Sequence, residues 1–340
     1  MKRTFFCFVI LSLSVIPINA RRFASGPFEL EVFPAKAPES VEKYQLLPKV
    51  DEQNDADAVP LYEKAIQALP KGRKQDKQIQ EWLKLPPEQL PAREVTETIQ
   101  KHMESLELIS QATRCKQCNW PIWKPGTMPP DQSEYRSLAF VLELWARMEI
   151  VHGEYDRALL VMQTAFGMAR HLGQSPTGIQ VLVGTAIGAL MCKEVELFIK
   201  GKDSPNLYRA LANLPRPFAD VKKVIEIEKE NLKNYNFLVR RQFEKQLKPA
   251  HDRMLLITKR LDNNLNAIQC VEAIRNYAAT HDGRLPEKLS DISDLKLPMD
   301  VMNDKAFGYN RTATGAVLQS EMPEGGDDVD VVRYQIVLKK

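Results

Sequence analysis

The strongest constraint on this chain is the segment at residues 179–192, which is apolar on nearly every side. Gln180 and Thr185 are its polar interruptions, and Gly184 and Gly188 lie among its larger side chains. Fourteen helical residues would extend about 21 Å, which is shorter than the roughly 30 Å hydrocarbon layer of a membrane. The segment therefore predicts a buried central helix of the fold.

Residues 134–173 predict a pair of helices that pack against each other. Gly153 ends the first helix and Gly173 ends the second. Small residues such as Ala146 and Ala158 let the two helices approach closely. The inward faces carry Tyr135, Leu138, Leu142, Trp145 and Ile150 in the first helix, and Met162, Ala165, Ala169 and Leu172 in the second.

The turn between these helices reads His-Gly-Glu-Tyr-Asp-Arg-Ala-Leu at residues 152–159, and Ala165 and Ala169 follow it. In these residues the pair resembles a tetratricopeptide repeat, and residues 61–66 resemble the second helix of such a unit more weakly. The resemblance covers one hairpin, whereas at least about three repeats are needed for a free-standing solenoid. It implies a repeat-like hairpin and does not carry over the peptide-binding groove of that family.

Helical spacing also recurs on both sides of these segments. Asp57 can cap a helix in which Pro60 lies early, where its missing N–H costs nothing. Further helices are predicted at residues 75–85, 92–112, 218–247 and 254–280, with a kink or break at Pro249. The charged run at residues 222–233 is interpreted as a solvated helix face.

The first twenty residues have the three parts of a secretory signal peptide. Lys2 and Arg3 supply the positive start, residues 4–18 are apolar, and Ala20 is the small residue at the expected cleavage site. Because the apolar part is shorter than a bilayer is thick, we expect cleavage rather than a retained anchor. The mature protein is then expected in the periplasm or outside the cell.

Charge and apolar content limit the partners that the mature chain can have. Without Lys2 and Arg3 the formal net charge falls from +3 to +1, which gives no general electrostatic basis for binding nucleic acid. After the signal peptide we expect no stable membrane span, because no later segment is long and apolar enough. The expected partner is a protein of the cell envelope whose identity the sequence does not indicate.

The predicted fold class is mainly α, with a repeat-like helical-hairpin body and a small C-terminal α+β module. We divide the chain into a signal peptide (1–20), an extended N-terminal arm (21–54), a helical body (55–250) and the C-terminal module (251–340). Residues 28–33 alternate apolar and acidic side chains, which fits either one short strand or an arm lying on the body. Short strands of an antiparallel sheet are predicted at residues 306–310, 316–320 and 331–338.

The C-terminal module resembles the periplasmic part of type II secretion pseudopilins. The resemblance is carried by residues 282–286, by Asp304 with residues 307–309, and by residues 325–330. It implies a helix that leads through a turn into a short antiparallel sheet. The chain lacks the prepilin cleavage motif that runs directly into such a helix, so the module is not expected to assemble as a pilin. The whole layout is similar to exported proteins of planctomycete-type bacteria, a similarity that implies no particular activity.

Cysteines at positions 115, 118, 192 and 270 remain after signal cleavage, and an oxidising compartment permits disulfides between them. A structural Cys115–Cys118 disulfide is the preferred interpretation, with a thiol redox pair or half of a zinc site as alternatives. Cys192 and Cys270 lie on apolar helix faces, so they are interpreted as buried thiols or as a second pair.

The acidic residues Asp327, Asp328 and Asp330 follow two glycines in a loop between predicted strands. Some pseudopilins bind calcium in the corresponding loop, and clustered carboxylates suit a hard cation. The resemblance therefore implies a possible calcium site, and a solvated acidic turn is the alternative. The sequence indicates no other cofactor.

The sequence contains no nucleophile elbow, no phosphate-binding loop and no dinucleotide-binding glycine motif. We therefore expect an exported interaction or scaffold protein without an evident catalytic site, in which the helical hairpins form the contact surface. One alternative is an envelope enzyme, either a thiol oxidoreductase that uses Cys115 and Cys118 or a hydrolase without a local motif. The other is an accessory component of a type II secretion-like apparatus.

Overall fold

The computed structural model describes residues 28–40, 43–70, 73–122, 132–233 and 235–339. This part of the chain is mainly helical and carries a four-stranded sheet formed largely by its C-terminal region. The predicted fold class is therefore confirmed. The predicted signal peptide lies outside the described residues, as does the start of the predicted arm.

The described part of the chain forms ten α-helices and six strands. The helices are α1 (Val59–Gln67), α2 (Arg73–Trp82), α3 (Ala92–Lys101), α4 (Met103–Thr113), α5 (Ser133–Val151), α6 (Tyr155–Gly173), α7 (Gly178–Phe198), α8 (Tyr208–Ala212), α9 (Val221–Leu232) and α10 (Phe237–Thr280). The strands are β1 (Phe28–Val32), β2 (Asn54–Asp57), β3 (Cys115–Gln117), β4 (Gly308–Arg311), β5 (Ala316–Gln319) and β6 (Arg333–Leu338). Among the described residues, none of the helices is both long and apolar enough to cross a membrane.

Helix α7 is the central helix that the apolar segment predicts, and it contacts α5, α6 and α10. It passes close to α6 at Gly184, where a Cβ atom would lie 2.5 Å from the carbonyl oxygen of Ala169 and 2.6 Å from the backbone nitrogen of Gly173. Real Cβ atoms do not approach backbone this closely. Glycine at this position therefore sets the distance between the two helices.

The predicted hairpin is formed by α5 and α6, and Gly153 turns the chain between them with a φ of 74°. That positive φ favours glycine. Helix α6 is buried over most of its length, between α4, α5 and α7, and α5 is covered in turn by α2 and α3. This hairpin therefore belongs to the core and offers little free surface to a partner.

The C-terminal sheet has the strand order β1-β6-β5-β4. Strands β4, β5 and β6 pair antiparallel, close to where the sequence predicts them. Strand β1 joins the other side of β6 in parallel, with Phe28 opposite Tyr334 and Val32 opposite Leu338. Of the two interpretations of residues 28–33, the strand is therefore confirmed. Leu30 and Val32 of this strand lie in the same hydrophobic core as the helical body.

A buried ion pair holds the N-terminal arm against α10. Arg275 and Glu272 are both fully buried and lie 2.9 Å apart. The Arg275 guanidinium also donates to the carbonyl oxygens of Phe33 at 2.9 Å and Ser204 at 3.0 Å. The side-chain amide of Asn206 bridges the Ala35 and Glu272 carbonyl oxygens at 2.9 and 2.8 Å. The arm, the loop before α8 and the helix are thus joined by one polar network.

The helix boundaries near residue 235 differ from the predicted ones. The break falls between Leu232 and Phe237. Helix α10 then runs from Phe237 through Pro249 to Thr280, a total length of 44 residues. Asn236 explains the new start, because its side chain accepts a hydrogen bond from the Val239 N–H at 3.1 Å and so caps α10. Of the two alternatives predicted at Pro249, a kink or a break, the break was wrong. A single helix over residues 92–112 was also wrong, because this stretch is divided into α3 and α4.

Replacement of Gly184 by alanine should destabilise the protein, because the added methyl group meets backbone atoms of α6 that cannot rotate away. Overpacking of this kind costs about 1–3 kcal/mol of unfolding free energy. Gly188→Ala is the matched control, since its Cβ meets the end of the flexible Leu261 side chain at 2.8 Å. Denaturant unfolding should show the larger loss for Gly184→Ala, and equal losses would contradict this account of the α6–α7 contact.

Replacement of Arg275 by methionine should leave the Glu272 carboxylate buried without its cation, which typically costs about 3–5 kcal/mol. The double variant Arg275→Met with Glu272→Met should recover part of that loss, because no lone charge stays buried. Lys84→Met is the control, because Lys84 pairs with Glu81 where both side chains are more than half exposed. Thermal or denaturant unfolding should rank the three variants in this order, and a small effect of Arg275→Met would refute the role of the pair.

Candidate functional site

The Cys115–Cys118 region is held by a short parallel pairing that the sequence did not predict. Strand β3 begins at Cys115 and pairs with β2, and the Ala58 N–H donates to the Gln117 carbonyl oxygen at 2.9 Å. The Asp57 carboxylate accepts hydrogen bonds from the backbone N–H groups of Val59 at 3.1 Å and Asn119 at 3.0 Å. The N-cap position of α1 is Ala58, which has no side-chain cap, so the predicted Asp57 cap was one residue too early. The Asp57 carboxylate instead joins the start of α1 to the cysteine loop.

An aromatic cluster of Tyr62, Trp120, Tyr135 and His171 lies behind this loop. Tyr62 stacks on Trp120 with ring centroids 5.5 Å apart, and Tyr135 meets both rings edge-on. The Tyr62 hydroxyl lies 2.8 Å from His171 Nδ1, and Trp120 Nε1 donates to the His171 carbonyl oxygen at 2.8 Å. Because the Tyr62 hydroxyl, His171 Nδ1 and Trp120 Nε1 are already hydrogen-bonded within the protein, the cluster fits a structural role.

Both thiols of the motif are free in the structure, so the predicted Cys115–Cys118 disulfide is not formed. Cys115 is buried, and its Sγ lies 3.7 Å from the Gln111 carbonyl oxygen. Burial and the nearby Asp57 carboxylate raise the pKa of both Cys115 and Cys118. Reactive cysteines need a lowered pKa, so the raised pKa values of these two thiols do not support the redox alternative.

The second predicted pair is not formed either. Cys192 lies in α7 and Cys270 in α10, and both are free and buried. Cys270 directs its Sγ towards the Pro298 carbonyl oxygen at 3.9 Å. Burial raises the pKa of each thiol, which agrees with the interpretation of these residues as buried thiols.

The acidic loop uses its carboxylates within the protein. Asp330 is almost fully buried, forms an ion pair with Arg260 and accepts the Asp327 N–H at 3.0 Å. Asp327 in turn accepts the Val329 N–H at 3.0 Å, while Asp328 is exposed. In the described part of the chain, no three His, Cys, Asp or Glu side chains are grouped to hold a metal ion. Because Arg260 already pairs with Asp330, the most buried of these carboxylates, this geometry gives the predicted calcium site no support.

A cavity of about 150 Å³ opens beside His171. Its lining includes two cations that already have partners. Lys116 pairs with Asp55 at 2.9 Å, and Arg170 donates to the carbonyl oxygens of Pro217 and Phe218. Ligand pockets usually measure roughly 300–1,000 Å³, so this cavity is small for a substrate and lends no support to the hydrolase alternative.

The hairpin of α9 and α10 is the surface that sequence reasoning missed. From Tyr235 to Arg253 no described residue is buried. The base of the hairpin is anchored on α7 by a small cluster of Val181, Ala219, Val221, Val224 and Met254. His251 and Glu228 connect its two helices, with Nε2 and Oε2 2.5 Å apart. The hairpin therefore projects from the body.

The end of this projection, which we call the tip, comprises residues 235–241. Phe237 and Leu238 are 73% and 76% exposed, and Tyr235 is 36% exposed. The charged run that the sequence predicts as a solvated face, residues 222–233, stops just before the tip. The missed signal is that Phe237, Leu238 and Val239 are consecutive, because three adjacent helical positions cannot all face one side.

Comparisons with known proteins found no match for this chain among protein-family models, curated proteins or solved structures. The resemblances seen in the sequence therefore stay predictions, and the function has to be argued from the surface of the molecule.

Acidification should reveal the burial of His171. Burial lowers the pKa of His171 to about 4, although a hydrogen bond to the Cys115 backbone opposes the shift. The unfolded chain takes up this proton near pH 6.5, so stability falls as the pH drops from about 6.5 to 4, by up to about 3 kcal/mol. Denaturant unfolding at several pH values should show a smaller decline for His171→Gln. The exposed His281→Gln control should keep the full decline, and a slope unchanged by His171→Gln would exclude this origin.

Proposed function

We propose that this protein is an exported interaction or scaffold protein whose contact surface is the tip of the α9–α10 hairpin. The observation that carries the proposal is the exposure of Phe237 and Leu238 side by side at the end of a projection. Large apolar side chains grouped on a surface mark contact sites. The contact surface that we propose is therefore the α9–α10 hairpin, because the α5–α6 hairpin expected from the sequence is largely buried.

Among the described residues, the other exposed large apolar side chains are not neighbours in the sequence. Ile122 and Leu160, for example, are 62% and 57% exposed but lie far apart along the chain. Single apolar residues on a surface are ordinary. The tip differs because its two most exposed residues are adjacent and Tyr235 lies beside them.

The hairpin can present its tip because its base is fixed. The anchoring cluster on α7 contains Val224 of α9 and Met254 of α10, so both helices are attached to the body. Helix α10 then continues to the buried Arg275 network. A partner bound at the tip would therefore be held at a defined position relative to the body, which is what a scaffold requires.

Export rests on the N-terminal segment, with Lys2, Arg3 and the apolar residues 4–18. The thiol oxidoreductase alternative loses support because burial raises the pKa of Cys115 and Cys118. The secretion-accessory alternative rests on the resemblance of the C-terminal module alone.

The proposal is tested by the double variant Phe237→Ser with Leu238→Ser. The envelope fraction of cells that make the protein should retain the unaltered chain, and the double variant should be retained at least tenfold less. The matched control is Ile122→Ser with Leu160→Ser, which removes two exposed apolar side chains elsewhere and should be retained normally. Circular dichroism checks that each variant is folded. Equal retention of the tip variant, or no retention of the unaltered chain, would contradict the proposal.

A further inference from the structure

The charge of the hairpin is concentrated around its apolar tip. Residues 229–248 contain six basic side chains and two acidic ones, an excess of four positive charges. Without Lys2 and Arg3 the formal net charge of the chain is +1, so the rest of the mature chain is net negative. Residues 229–248 are therefore a positively charged segment that includes the tip.

Both acidic residues of this region are already neutralised. Glu230 pairs with Lys233 at 2.5 Å, and Glu244 pairs with Arg240 at 2.8 Å. Four further cations are exposed and have no ion-pair partner among the described residues: Lys229, Arg241, Lys245 and Lys248. These charges are available to an anionic partner.

The shape of the tip favours a surface over a pocketed protein as the partner. The first 17 residues of α10, from Phe237 to Arg253, contain no buried side chain, and this length corresponds to about 25 Å of helix. The exposed Phe237 and Leu238 lie at its outer end, with Tyr235 next to them. A convex apolar end surrounded by cations can enter the boundary between lipid headgroups and acyl chains, and the cations can then approach the phosphates.

We propose that the hairpin tip docks on the surface of an anionic phospholipid bilayer. Phe237 and Leu238 enter the interfacial layer, while Tyr235 stays packed edge-on against Phe243, and Arg241, Lys245 and the other unpaired cations contact lipid phosphates. The body is held off the bilayer by the length of the hairpin. This inference rests on the proposed function, because it names the partner of the same tip.

The test is vesicle co-sedimentation of the full chain. Vesicles of phosphatidylcholine with phosphatidylglycerol should bind it at least tenfold more tightly than vesicles of phosphatidylcholine alone. Added salt should weaken this binding, because it screens the exposed charges. The variants Phe237→Ser with Leu238→Ser, and Arg241→Glu with Lys245→Glu, should each lose at least tenfold in affinity for the anionic vesicles.

The matched charge control is Lys101→Glu with Lys259→Glu, which reverses two exposed lysines outside the tip and should bind nearly as the unaltered chain does. The N-terminal apolar segment is present in every variant, so it cannot produce a difference between them. A Phe237→Trp variant should show additional fluorescence quenching by brominated lipid, which places that side chain in the bilayer.

Two results would overturn the inference. If the tip variants bind anionic vesicles as well as the unaltered chain does, another surface makes the contact. If the unaltered chain does not bind vesicles while the Phe237→Ser, Leu238→Ser variant still loses envelope retention, the partner is an envelope component other than the lipid surface. The proposed function then stands without the lipid. If the unaltered chain does not bind vesicles and the Phe237→Ser, Leu238→Ser variant is retained normally in the envelope, the proposed function is contradicted as well.

Discussion

The buried Arg275–Glu272 ion pair is the interaction on which the arrangement of this fold depends. Removing two charges from water costs several kcal/mol per ion, and only close pairing with full hydrogen bonding offsets that cost. Here the partners come from distant parts of the chain: Phe33 in the arm, Ser204 before α8, and the Leu207 N–H, which donates to the Glu272 carboxylate at 2.9 Å. Because these groups must converge for the charges to be satisfied, the pair fixes one half of α10. The other half projects from the body.

Helices and strands that are marked by a local spacing of apolar residues were predictable from the sequence. The apolar run at residues 179–192 must be buried wherever it lies, and it became α7. The glycine-bounded helices α5 and α6 and the strands β4, β5 and β6 have equally local signals. Each of these elements is decided mainly by which faces of the segment are apolar, so neighbouring residues suffice to find it.

Features that depend on distant partners were not predictable. The alternation at residues 28–33 favours a strand but cannot say that it pairs with β6. The spacing of Cys115 and Cys118 permits a disulfide, whereas their burial beside Asp57 depends on β2 and α1. Pro249 signals a break, yet the capping by Asn236 decides where α10 begins. The exposure of Phe237 likewise depends on how far the hairpin extends beyond the body.

The parallel pairing of β1 with β6 also sets the order in which this molecule can be completed. The two strands are about 300 residues apart in the chain, and contacts of such separation form late because a large loop must close first. Synthesis delivers β1 first and β6 last, and β6 is the neighbour from which β1 receives its ladder hydrogen bonds. Closure of the sheet therefore has to wait until β6 has been made. Until then β1 has no neighbouring strand in this sheet, so ladder hydrogen bonds cannot yet hold the arm in place.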